Sequence, residues 1–193
     1  MAYRRAGVWA AAFLLSLCIS AAAGCGSGQT GEGGQAGEGE PPGTGREITL
    51  QTLAQGTQCE YGRFDQSATQ EGFPECTVIE DDEELQRLLY LAGLQLPDPD
   101  IDFDGYLVLA AMQGVKSSAG YAVSISRATQ YGGEVRVEVE VVEPEEGAFT
   151  AQVMTSPYHL VLAERGDFDP RGEMEFVFVD GNGTVLSKVR AGV

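Results

Sequence analysis

One histidine, His159, serves the whole 193-residue chain, and cations are scarce: 12 Lys and Arg stand against 29 Asp and Glu, a formal charge of −17. So acidic a chain repels nucleic-acid phosphates and anionic lipid heads, which excludes nucleic-acid binding and leaves membrane contact to something other than surface charge. Tryptophan occurs once, at position 9, and cysteine four times. Spanning a bilayer takes about twenty apolar residues, and the run Val8 to Ile19 has roughly a dozen. A phosphate loop is also missing. Gly114 to Tyr121 is bounded by glycine but lacks the Gly-Lys-Ser/Thr that cradles phosphates, and reads as a turn between strands.

What is there begins with an address. Arg4 and Arg5, the short apolar run and the small residues after it have the three-part layout of a secretory signal peptide. Ala22-Ala23-Gly24-Cys25 resembles the lipobox of bacterial lipoproteins, with Ala22 where that pattern prefers Leu. The resemblance implies cleavage before Cys25 and its diacylation, so residues 1–24 are the leader. Two acyl chains anchor stably where one does not. The expected location is the bacterial cell membrane or envelope. Loss of Arg4 and Arg5 removes no acid and leaves 10 bases against 29 acids, a charge of −19.

With Cys18 removed and Cys25 lipidated, Cys59 and Cys76 remain. In an oxidising compartment they are expected to form one disulfide. It would close a loop of about seventeen residues and contribute about 3 kcal/mol. Residues 25–45 carry the lipid and a Gly-rich stretch without large apolar side chains, a flexible tether about 25 Å in rms span. Residues 46–193 are long enough for one domain with its own core.

Period two dominates that domain. Val135 to Val141 alternates four valines with Arg136, Glu138 and Glu140, the pattern of a half-buried strand. Tyr121, Val123 and Ile125 alternate in the strand before it, and Gly132-Gly133 between them suits a tight hairpin turn. Tyr106 to Met112 is apolar throughout and reads as a central strand; Tyr158 to Ala163 is similar. A second hairpin runs from Met174 to Val189 and turns at Asp180 to Gly183. Shorter strands are expected in REITLQTL and ECTVIE. One helix stands out in DDEELQRLLYLAG, with Asp81 or Asp82 as cap, Leu85, Leu88, Leu89 and Ala92 on one face, and Gly93 as stop. The expected class is mainly β (α+β), an antiparallel sheet or sandwich-like domain with one covering helix.

Ile101 to Ala163 carries a family likeness. Asp102-Phe103, Gly114, Gly120-Tyr121, Pro144, Gln152 and Pro157-Tyr158-His159 resemble, in order and spacing, the PrcB C-terminal domain of the protease complex subunit PrcB family. Ala119 stands where members often have a first glycine of Gly-Gly-Tyr. The resemblance covers about a third of the chain. It implies an exported, non-catalytic domain that associates with another protein, such as a surface protease, and brings no catalytic residues or cofactor.

Two stretches invite a different reading, a small-ligand or Ca²⁺-binding domain or an enzyme using His159. In Thr155 to His159 a serine lies three positions before the histidine. In an extended strand the two are about 10 Å apart and face opposite sides, so they cannot form a dyad. The expectation is that Pro157 opens a strand, Tyr158 and Leu160 face one layer, and His159 and Val161 face the other. There His159 would bond a backbone group or a nearby acid. Asp100, Asp102, Asp104 and Gly105 match the opening of an EF-hand loop, but its twelfth position, where a bidentate acid belongs, is Ala111. Those three carboxylates remain the candidates for a metal. The loop Glu143 to Phe149 reads as a solvated tip, and the weakly polar Thr150 to Pro157 beside it as part of a binding surface.

Overall fold

The computed structural model describes residues 44–61, 74–96 and 100–193. The expected leader, the expected lipidation site Cys25 and most of the expected tether lie outside the described residues. The chain runs β1 (Arg46–Ile48), β2 (Leu50–Gly56), β3 (Glu75–Ile79), α1 (Asp82–Ala92), β4 (Tyr106–Met112), β5 (Ala122–Tyr131), β6 (Glu134–Val142), β7 (Tyr158–Glu164), a 3-10 turn (Arg165–Asp167), β8 (Glu173–Val179) and β9 (Val185–Gly192). Two sheets result, one ordered β1-β5-β6-β8-β9 and the other β2-β7-β4-β3. Every pairing is antiparallel except β6 with β8. The domain is thus a mainly β, sandwich-like fold with a single α-helix among the described residues, as the sequence leads one to expect.

The four-stranded sheet is the middle of three layers. On β4, Leu107, Leu109 and Ala111 enter the core between the sheets, while Val108, Ala110 and Met112 enter a second core under α1. A strand buried on both faces must be apolar at every position, hence the unbroken run. The helix contributes Leu85, Leu88, Leu89 and Ala92 to that second core. Asp81 caps its start, accepting from the Glu84 N–H at 2.8 Å. Gly93 ends it at φ 60°, in the left-handed region that glycine enters at least cost.

The sheets are joined at one corner by a strand that changes sheet. β1 pairs with β5 and β2 with β7, with Thr49 between them. At that crossing the Thr49 N–H donates to the Asp167 carboxylate at 2.7 Å. Hydrogen bonding from Thr49, by its side chain first and its backbone N–H second, holds the Asp167 carboxyl below its usual value. β1 covers only Ala128 to Gln130 of β5. Further along β5, Ile125 N–H and Val123 C=O are met by side chains from the other sheet, His159 and Gln55. In the same 3-10 turn as Asp167, Arg165 donates to four backbone carbonyls, those of Phe103, Tyr106, Gly192 and Glu80, at 2.8 to 3.4 Å.

The expected disulfide is not formed, and Cys59 and Cys76 are both free thiols. Cys76 points into the core between the sheets, whereas Cys59 packs against the core under the helix. The two sulfurs occupy opposite faces of the four-stranded sheet. Pairing by compartment and chain separation carries no information about the face on which a side chain lands. Cys76 accordingly behaves as a small core residue, with burial pushing its pKa up to about 12.

Candidate functional site: a strip on two cross-tied loops

Two connections of the domain, 113–121 between β4 and β5 and 143–157 between β6 and β7, lie side by side. Lys116 and Thr155 exchange backbone hydrogen bonds at 2.7 and 3.0 Å. Ala119 N–H donates to Ala151 O at 3.0 Å, and Thr155 Oγ1 to Ser118 O at 2.9 Å. The Ser156 N–H reaches Thr57 O just beyond β2. Gly120 has φ 98°, and a Cβ there would meet Pro144 Cγ at 3.2 Å and Thr150 Cγ2 at 3.5 Å. Only glycine both adopts that backbone angle readily and lets Pro144 approach so closely. Lys116 Nζ lies 5.3 Å from the centre of the Tyr121 ring, within the range of a cation–π contact.

Buried polar groups anchor the loops from below. Gln113 is buried where β4 ends; its N–H donates to Pro157 O at 2.9 Å and its Nε2 to Val142 O at 3.2 Å. Its Oε1 has no protein partner. On top, apolar side chains face solvent. Phe149 is fully exposed (108%), and Met154 (57%), Val153 and Val142 are exposed too. Among the described residues only Tyr90 and Leu91, on α1, complete the set of exposed large apolar side chains. The rim bears Glu143, Glu145 and Glu146, all exposed.

The residues singled out in the sequence fall around this site in distinct roles. His159 is a peg between the sheets, 4% exposed. Its Nδ1 accepts the Ile125 N–H at 2.8 Å, and its Nε2 lies 3.1 Å from Thr52 Oγ1. An accepting Nδ1 places the ring proton on Nε2, so the ring is neutral and donates to Thr52. Burial holds its pKa below the ordinary 6.5. Ser156 is buried as well, its hydroxyl donating to Tyr61 O at 3.4 Å and lying 3.1 Å from Cys59 Sγ. Tyr158 lies on the helix side, its ring 3.0 Å from where a Cβ on Gly56 would sit. Burial, chiefly, raises its pKa. Pro157 is buried and Gln152 exposed.

The acidic loop is built as a turn. Asp102 Oδ1 accepts the Asp104 N–H at 3.1 Å, and Asp102 O accepts from Gly105 and Tyr106. Asp100, Asp102 and Asp104 are exposed, and among the described residues no group of three or more His, Cys, Asp or Glu is placed to hold a metal. Sequence reasoning missed Gln113, Thr52, Gln55 and Arg165. A lone Gln after an apolar run carries a faint signal of a buried end; the other three carry none.

Fold and site together define a sandwich-like β domain in which two loops are tied to each other by hydrogen bonds and one of them carries solvent-exposed apolar side chains. Residues 107–162, from β4 into β7 with both cross-tied loops, match the PrcB C-terminal family. No curated protein and no solved structure matches the chain.

Proposed function

We propose that this chain is a lipid-anchored envelope protein whose β domain is a non-catalytic docking unit for another exported protein, as a subunit or stabiliser of its complex. One observation carries the reading: Phe149, Val153 and Met154 face solvent from a backbone fixed by cross-loop hydrogen bonds. Solvent-exposed apolar groups on a pre-ordered backbone suit association, since little loop entropy is lost on binding. The family that residues 101–163 resemble supplies the partner class, an exported protease complex. The lipobox-like Ala22 to Cys25 supports anchoring through Cys25, and the Gly-rich segment after it gives the domain reach. His159, the base that an enzymatic reading would need, has both ring nitrogens engaged.

The test is crosslinking of the tagged, full-length protein in its own cells, followed by mass spectrometry of what co-purifies. A single stoichiometric exported partner is expected, together with release of the protein from membranes on Cys25→Ala. Absence of any partner above background would overturn the docking reading.

A further inference from the structure

We infer that the Phe149–Met154 strip receives a protein surface in which apolar side chains are flanked by Lys or Arg; this deepens the docking reading above and rests on it. The apolar half of the argument is exposure. Phe149, Val153 and Met154 lie on the single connection from β6 to β7, and Val142 on the end of β6 that leads into it, so their exposures fall together at one end of the sandwich. The charged half is the rim. Glu143, Glu145 and Glu146 are exposed and take part in no ion pair among the described residues, while Lys116, on the neighbouring loop, lies over the Tyr121 ring. Three unpaired carboxylates beside an apolar patch repel like charge and attract its opposite, which selects the partner as well as speeding its approach.

The same charges argue against other occupants. A second copy docking strip to strip would bring two sets of these glutamates together in a chain already at −17. An anionic lipid surface meets the same repulsion. The mounting matters too. The Ala119–Ala151 and Lys116–Thr155 bonds fix Gln152 to Met154 in one shape before any partner arrives, so the strip offers a defined relief.

The test places a photoreactive amino acid at position 149, 154 or, as a control on the other exposed apolar site, 90, in the full-length protein in its own cells. Positions 149 and 154 are expected to capture one and the same protein, through a segment where apolar residues adjoin Lys or Arg, and position 90 to capture none of it. Glu145→Lys with Glu146→Lys is expected to lower the yield about fivefold, and raising the salt during crosslinking of isolated membranes to lower it further. Both glutamates are exposed, so an unchanged Tm of each variant is the folding control. If a partner co-purifies but is not captured from 149 or 154, the strip is the wrong surface and the docking reading survives. Capture unaffected by charge reversal overturns the basic partner. Capture of a second copy or of lipid overturns the proposal outright. If nothing co-purifies at all, proposal and docking reading fall together.

Discussion

His159 shows how much one side chain decides. Its Nδ1 satisfies the Ile125 N–H, a group on the β5 edge that β1 is too short to cover. Removing the acceptor leaves a buried donor unpaired, which costs about 1–3 kcal/mol. His159→Ala is expected to cost at least that in urea denaturation. His159→Asn, whose amide oxygen can take the place of Nδ1, is expected to cost less. The pH dependence follows from the same bond. The folded-state pKa lies below the unfolded value of 6.5, so the unfolded chain binds the proton first. Stability from this residue is therefore full above about pH 6.5 and declines as pH falls below it. Asp167 and Asp180, both titrating below the ordinary 3.8, lose their contribution only in more acid solution. Urea midpoints at pH 7.5 and 5.5 should thus fall more in the native protein than in His159→Asn, and an equal drop would refute the assignment.

Arg165 is the other residue on which the fold leans. Its guanidinium reaches four carbonyls from three separate segments, the turn into β4, the end of β9 and Glu80 after β3. Lysine is a point charge with three donors and cannot reproduce that planar fan. Arg165→Lys is expected to cost roughly 2–3 kcal/mol, the range for losing hydrogen bonds to a charged group. A denaturation midpoint unchanged by this substitution would count against the arrangement.

At the scale of elements, the paired loops depend on Gly120. Any side chain there suffers the unfavourable φ and presses on Pro144. Gly120→Val is expected to cost about 1–3 kcal/mol, most of it local. Hydrogen exchange should quicken at the Ala119, Lys116 and Thr155 amides while β4 and β6 amides keep their protection. Uniform quickening over the domain would mean that the loops and the sandwich open as one unit. The cysteines belong to this scale as well, because the four-stranded sheet separates them. Alkylation of the unreduced protein is expected to label Cys59 natively and Cys76 only after denaturation. Peptide mapping that finds the two joined would contradict the sheet geometry.

For the molecule as a whole, the chain divides its labour along its length. A lipobox-like sequence and a Gly-rich segment precede a sandwich in which the exposed apolar side chains Val142, Phe149, Val153 and Met154 fall within the family-matched stretch. Strands, helix and turns were legible in the sequence because each rests on local causes. Alternating Val135 to Val141 needs only a two-residue period, and Asp81 and Gly93 mark the ends of α1 within one turn. The apolar loop was legible in part, since Thr150 to Pro157 reads as a surface, but Phe149 reads as belonging to a solvated tip.

The sequence alone thus determined the class of fold, the faces of its strands and that His159 is built into a strand, bonded to a backbone group or an acid; the structure supplies the backbone group and a threonine hydroxyl in place of the acid. Tertiary structure decided what meets across the sheets. The parallel pairing of β6 with β8, the change of sheet at Thr49 and the separation of Cys59 from Cys76 all depend on how the layers stack. His159 bonds Ile125 and Thr52, 34 and 107 residues away along the chain. Periodicity reports which side of a strand a residue occupies; it says nothing of what another strand will place opposite, and that is where the pegs, the arginine fan and the cross-tied loops arise.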